Sequence, residues 1–381
     1  MVHSGLLNTN TGGGIHTYEL YKNFQSMGDV TCFIAKSKQH EDSPNMVSVP
    51  FINLPFCRAI SYYCALFFYL FHHSLKLKPD VIYVRQLSLG ISPLIVSKLL
   101  KIPYVLEVNG LIDDEIRMLK NHKNKIIINF FLLIDFFHFK CSNKIIAVSQ
   151  GLKDQIVLNY GISAEKVVFI ENGVNSDNFF PIEQTIAISK LKLNPSKKYV
   201  CFVGGLAPWH GVEYLVQSAN NILKEFPNVL FLIIGDGPMK EALIQQIERL
   251  DLSKNFFLTG NVDHSLVPYY INASELCVAP FTGERNIRIG LSPLKIYEYL
   301  SCAKPVVTSD IPGVSEIVLN SGGGILVKPD DSGELEMAIL KLLKNEKIRT
   351  IMGQMGRDYI VLNHSWSNTA KKIFNIFMNI T

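Results

Sequence analysis

The chain has 381 residues, 48% hydrophobic and 18% charged, with 37 Lys and Arg against 33 Asp and Glu. That length exceeds one ordinary core and argues for two domains. The balance is only mildly basic, and with no dense Lys/Arg run or RNA-type aromatic motif it excludes a dedicated nucleic-acid binder. The seven cysteines are scattered without a Cys-x-x-Cys pair, mostly inside apolar runs, as in a reduced cytoplasmic protein.

In chain order, Met1-Val2-His3 is short for the strand that opens a doubly wound domain. Either that strand is very short or the natural chain begins upstream; "MVHSGLLNTNTGGG" does not read as a signal peptide. Apolar strands follow at 30–36, 80–85, 103–109, 144–149 and 166–172, with helical patterns between them at 91–100 and 113–140. A second series runs through 199–205, 229–237, 255–260, 275–281, 305–310 and 323–329, beyond the polar stretch 175–198. Continuously apolar strands bounded by Gly or Pro and separated by helices form parallel sheets covered on both faces. The expectation is an α/β protein of two doubly wound, Rossmann-like domains facing a cleft, residues 1–180 and 181–365. A last helix, 366–381, is expected to pack back on the first domain. Ligands of such sheets bind at the carboxyl ends of the strands.

Two segments, 59–73 and 126–139, are very apolar but shorter than the roughly 20 residues of a spanning helix. They read either as buried helices or as an in-plane contact with a membrane surface, helped by Arg117, Lys120, Lys123 and Lys125.

The second half carries the more informative motifs. In "FVGGLAPWHGVEYL" (202–215), Gly204 and Gly205 allow close backbone approach, and the helix start near His210 offers free N–H groups to an anion. "LIIGDGP" (232–238) and "FLTGNV" (257–262) end two more strands at the same edge. In "GLSPLKIYEYLSCAKPVV" (290–307), Ser292 reads as an N-cap and Pro293 as the first helical residue. Lys295 and Glu298, three apart, share a face of a largely apolar helix. Buried charges are costly unless paired or facing a ligand, so the two form an internal ion pair or line a site. The preceding loop adds Arg285 and Arg288, a suitable lining for a diphosphate.

In their order and spacing, these motifs, with "PGVSEIV" and the earlier "GGGIHTYEL", "EVNG" and "VVFIENGVNSDNFFP", resemble the retaining glycosyltransferases of the GT-B fold, bacterial family 4 above all. The resemblance spans nearly the whole chain. It implies that Glu298, the second acid of the family's Glu-x7-Glu motif, holds the donor ribose, and that residues around Val262 read the base. His210 stands where many members have a phosphate-binding lysine. Gly13 and Gly14, in the family's glycine loop, would approach the donor from the first domain. Glu107 and Asn109 fall in the acceptor-side loop, Asn109 near a position often held by histidine, and Glu316 matches a recurrent acid. Two departures stand out: Gly290 replaces the first acid of the pair, and Gly205 an arginine common after the first strand. The donor sugar is then expected to be gripped by backbone N–H groups of Gly290, Leu291 and Ser292, with Lys295, Arg288 or Arg285 supplying the missing charge.

Lys295, His210 and Asn109 are the catalytic candidates, and no nucleophile stands out. With no Asp-x-Asp and only Asp113-Asp114 and Asp330-Asp331 as adjacent pairs, a metal-independent, cofactor-free reaction is expected. The resemblance implies a retaining transfer from a UDP- or GDP-linked sugar to a glycan acceptor carried on a lipid, in bacterial surface polysaccharide synthesis. The enzyme would be cytoplasmic or peripheral on the inner membrane face. The alternatives are a nucleotide-sugar 2-epimerase-like enzyme and a catalytically silent nucleotide-binding relative. A nicotinamide-dependent dehydrogenase is disfavoured, because its glycine fingerprint must follow a strand directly.

Overall fold

The structure, a computed structural model, describes residues 1–2, 11–35, 45–54, 57–85, 90–111, 114, 118 and 125–381, without the side chains of 125–127. Two compact units emerge. One comprises Met1–Thr9, Gly13–Glu171 and Trp366–Thr381, the other Asn10–Gly12 and Asn172–Ser365.

The first unit carries strands β1 (Cys32–Ala35), β2 (Met46–Val49), β3 (Ile82–Arg85), β4 (Tyr104–Val108), β5 (Lys144–Ala147) and β6 (Val167–Phe169). β1 pairs with β2, and β3 to β6 pair in sequence, all parallel. Val2 joins the two groups by bridging Phe33 and Val84, and its N–H donates to the Tyr83 carbonyl at 2.9 Å. One residue thus stands where the central strand belongs, giving the order β2-β1-Val2-β3-β4-β5-β6. β2 has no counterpart in the sequence reading. Three of its four residues are only half-buried, so it lacks the continuous apolar run of a central strand.

One further expectation is corrected. "GGGIHTYEL" is not a loop but the start of a helix, Gly12–Phe24. Of the helix expected over 113–140, Lys125–Cys141 is observed; before it only Asp114 and Met118, both helical, are among the described residues. Arg117, Lys120, Lys123 and Asp113 lie outside the described residues, as do His3 and the side chain of Lys125. Helix Cys57–Leu77 buries a stripe at Tyr62, Leu66, Leu70 and Ser74 and leaves an opposite one, Ile60, Cys64, Phe68 and Leu75, exposed. Helix Trp366–Met378 completes this unit: the Phe377 ring lies 5.6 Å from both Phe24 and Tyr83.

The second unit carries β7 (Lys198–Val203), β8 (Val229–Ile234), β9 (Phe256–Gly260), β10 (Leu276–Ala279), β11 (Val306–Ser309) and β12 (Gly324–Val327). They form one parallel sheet ordered β12-β11-β10-β7-β8-β9. Alternate residues face two separate cores, with Cys201, Leu232, Cys277 and Tyr299 in one and Val200, Phe231, Val278 and Leu215 in the other. The strand order reverses direction across the sheet between β7 and β10, and the crevice at such a switch point is where ligands bind. The polar stretch 175–198 is folded too: it holds helix Gln184–Lys190, and nearby the Ile182 N–H donates to Asn272 Oδ1 at 2.9 Å.

Candidate functional site

Three strand ends meet at that switch point: Gly204-Gly205 after β7, Gly235-Asp236 after β8 and Pro280-Phe281 after β10. Gly204 and Gly235 have φ of +138° and +135°, and a Cβ on Gly235 would lie 2.1 Å from the Gly204 carbonyl oxygen. A Cβ on Gly204 would lie 2.6 Å from Lys295 Nζ. Gly204 therefore leaves the space that the Lys295 ammonium fills, and Gly235 lets the two strand ends approach.

Lys295 comes from helix Leu294–Ser301 and is 7% exposed. Among the described residues its Nζ has no hydrogen-bond partner; it sits 4.0 Å from the centre of the Phe202 ring and 5.4 Å from that of Phe281. Cation–π attraction of about 1–2 kcal/mol offsets only part of such an ammonium's desolvation. Burial pulls its pKa down from 10.5 to about 7, against the opposing charge of Glu298. Hydrogen bonds tie its surroundings together. Ser309 Oγ donates to the Phe281 carbonyl at 2.7 Å, and the Val203 N–H donates to Tyr299 Oη, on the Lys295 helix, at 2.7 Å.

Glu298 is buried beside it but makes no ion pair with Lys295; its carboxylate lies 3.7 Å from His264 Nε2. Of the two readings open from the sequence, the internal pair is thus removed. The geometry leaves a buried cation and a carboxylate on one helix face at a ligand crevice.

The other expected residues divide. Arg285 is buried with its guanidinium 5.2 Å from the Trp209 ring, whereas Arg288 is exposed. His210 is half-buried and donates through Nδ1 to the Gly205 carbonyl. Burial and then the Lys295 charge hold it neutral, far below its usual pKa. With Nδ1 protonated, the neutral ring has only a lone pair at Nε2, so the one N–H expected to reach a phosphate is engaged by the Gly205 carbonyl. Two of the three backbone donors expected to grip the sugar are already engaged. The Gly290 N–H donates to the Asn286 carbonyl and the Leu291 N–H to the Pro312 carbonyl, both at 2.9 Å. Ser292 is not the N-cap: Pro293 holds that position without a side-chain cap, and Ser292 Oγ accepts from the Asn172 N–H at 2.9 Å. Glu316 is exposed and caps its own helix, Val314–Ser321, by accepting from the Gly313 N–H. Val262 is half-buried against the core that contains Tyr299. Near it, Asp236 and Lys240 pair at 2.9 Å beside Gly260.

The first unit holds its own polar cluster. Glu107, at the end of β4, is 1% exposed. It accepts from Asn109 Nδ2 at 2.8 Å and from Tyr83 Oη, meets His16 Nε2 at 3.0 Å, and lies 3.6 Å from Arg85 Nε. Burial alone would raise its pKa, but His16, Arg85 and Tyr83 together hold it at about 2. Gly13 packs over this cluster, since a Cβ there would lie 2.9 Å from Arg85 Nη1, and Gly14 is buried in the next position. The sequence reading missed His264, Phe202 and Phe281 around the first site, and His16, Tyr83 and Arg85 around the second. Only Arg85 left a legible signal, as a cation ending an apolar strand.

The comparisons agree with this division. Residues 183–359 match the family model of glycosyl transferases group 1, and residues 10–178 that of glycosyltransferase family 4. The chain belongs to the group 1 glycosyltransferases. An uncharacterized glycosyltransferase of Methanocaldococcus jannaschii is 25% identical over 69% of this chain, a match that spans 65% of that relative's length. The UDP-Gal:alpha-D-GlcNAc-diphosphoundecaprenol alpha-1,3-galactosyltransferase of Escherichia coli is 24% identical over 80% of this chain and 76% of its own. Among solved structures, Anabaena HepE in complex with UDP superposes with a TM-score of 0.74 at 17% identity, covering 99% of each chain. The fold is GT-B, two Rossmann-like domains.

Proposed function

We propose that this glycosyltransferase moves a sugar with retention of anomeric configuration from a UDP-linked donor to a glycan acceptor carried on a lipid diphosphate, for surface polysaccharide synthesis. The observation that carries the donor half is Lys295, a buried ammonium at the switch point of the second unit without an acceptor among the described residues. A diphosphate oxygen would supply the missing acceptor, and the lysine would stabilise the charge that develops on the leaving group. Glu298, set on the same face, is the acceptor for the ribose hydroxyls. This arrangement needs no divalent cation, because the fixed cation does the electrostatic work. Uridine is favoured over guanosine by the UDP-bound neighbour HepE and the UDP-Gal-using relative. The lipid acceptor follows the diphosphoundecaprenol of that same relative.

A membrane contact belongs to this reading. Among the described residues no helix is long and apolar enough to cross a membrane. Ile60 and Phe68 on helix Cys57–Leu77 are nevertheless 66% and 68% exposed, and Phe130 and Leu133 on helix Lys125–Cys141 are 53% and 52% exposed. Such faces, with Lys76 and Lys140 near the helix ends, suit an in-plane contact with an anionic surface.

The test is transfer itself. Wild-type protein is incubated with a panel of UDP- and GDP-sugars and polyprenyl-diphosphate-linked glycans, with EDTA present, and the product linkage is read by NMR. An α-linked product from an α-linked donor supports the reading. An inverted product overturns the stereochemistry, and nucleotide binding without transfer on any acceptor would mark a silent relative.

A further inference from the structure

The helix that presents Lys295 and Glu298 begins without a side-chain cap of its own. Its start is held instead by a residue 120 positions earlier in the chain. The Asn172 N–H donates to Ser292 Oγ at 2.9 Å, and Asn172 Nδ2 donates to the Ser292 carbonyl at 2.6 Å. Ser292 Oγ in turn lies 2.9 Å from Tyr297 Oη, within the same helix. Asn172 and Ser292 are 6% and 8% exposed, so each bond is shielded from water and its loss leaves a buried polar group unmade.

The far end of the helix is tied to the same stretch of chain. Ser301 Oγ donates to the Phe179 carbonyl at 2.6 Å, and the Phe179 ring lies 5.3 Å from that of His264, the partner of Glu298. Asn172 is the first residue of the second unit on this pass of the chain.

We infer that Asn172 is a positioning residue of the donor site: it fixes the Ser292 turn and through it the direction in which Lys295 and Glu298 face. The segment from Asn172 to Phe179 acts as a strap along the helix, and Asn172 supplies both bonds at the end nearer Lys295. The inference rests on the assignment of Lys295 and Glu298 to the donor nucleotide.

The experiment compares wild type with Asn172→Ala, Asn172→Asp and Ser292→Ala. UDP and GDP affinity is measured by calorimetry well below each variant's Tm, and the Tm is measured separately. Asn172→Ala should weaken binding of the preferred nucleotide about tenfold, as for a pair of buried hydrogen bonds lost at a distance from the ligand. Asn172→Asp, which sets a carboxylate against the Ser292 carbonyl, should weaken it further. Asn172→Ala should add little in the Ser292→Ala background, and less than its full effect in a Lys295→Met background, where only Glu298 is left to aim. A purely structural residue would lower Tm and leave the affinity of the folded protein unchanged. Affinity within twofold of wild type in Asn172→Ala would therefore overturn the inference. Should the asparagine variants not fold, Ser292→Ala takes their place: weakened binding supports the inference, and affinity within twofold of wild type overturns it. A wild type that binds neither nucleotide would overturn the donor assignment as well.

Discussion

Replacing Lys295 by methionine should make the protein more stable and a poorer binder at once. The ammonium is buried against Phe202 and Phe281, and its pKa has fallen from 10.5 to about 7. A shift of that size means that at neutral pH the fold forgoes up to about 4 kcal/mol relative to an unfolded chain whose lysine is fully charged. Methionine fills a similar volume between the rings and contributes no charge to desolvate. It forfeits the cation–π attraction, about 1–2 kcal/mol, so the net gain is about 2 kcal/mol or roughly 4–8 °C in Tm for a unit of this size. Affinity should move the other way. Losing a charge-assisted hydrogen bond to a diphosphate costs about 2–3 kcal/mol, a weakening of roughly 30- to 150-fold. Thermal unfolding of the ligand-free protein and calorimetric titration with UDP read the two effects separately. A variant with lower Tm and unchanged UDP affinity would refute the reasoning, because Lys295 would then be held by interactions within the fold.

The same lysine predicts a pH profile. Its folded pKa is lowered, so between about pH 7 and 10 the unfolded chain binds more protons and ligand-free stability should rise with pH across that window. UDP affinity should fall above about pH 7 by approaching tenfold per unit, and Lys295→Arg should flatten that slope in calorimetry. Glu298→Gln should weaken UDP binding about tenfold or more while sparing binding of inorganic pyrophosphate, which has no ribose. In the first unit, Glu107→Gln should lower Tm, since breaking a buried charged cluster costs about 3–5 kcal/mol, yet leave UDP affinity unchanged. The Glu107 contribution is present above its unfolded pKa near 4.5 and is lost as pH falls toward about 2, which acid unfolding of wild type against the variant would show. Phe68→Glu should reduce co-sedimentation with phosphatidylglycerol vesicles, with no change in nucleotide binding.

The strand framework was legible because parallel strands buried on both faces leave unbroken apolar runs such as Val229–Ile234 and Lys198–Val203. β2 was not, since an edge strand with half-exposed residues carries no such run. The spacing of Lys295 and Glu298 announced a shared face, but not that Lys295 sits against the rings of Phe202, on β7, and Phe281, after β10. His210 illustrates the converse: the residue type suggested a donor to a phosphate, but burial and then the Lys295 charge hold the ring neutral, and its Nδ1–H is taken by the Gly205 carbonyl. Partners such as His264 for Glu298, or Asn172 for Ser292, come from far along the chain, and no local pattern encodes them.

The central claim is that a fixed lysine, without a metal, receives the donor diphosphate. Calorimetric titration of the wild type with UDP in EDTA, repeated with magnesium, tests it most directly. Binding of the same strength is expected in both, accompanied by uptake of a fraction of a proton near pH 7.5. Binding that appears only with magnesium, or that takes up no proton, would contradict the claim.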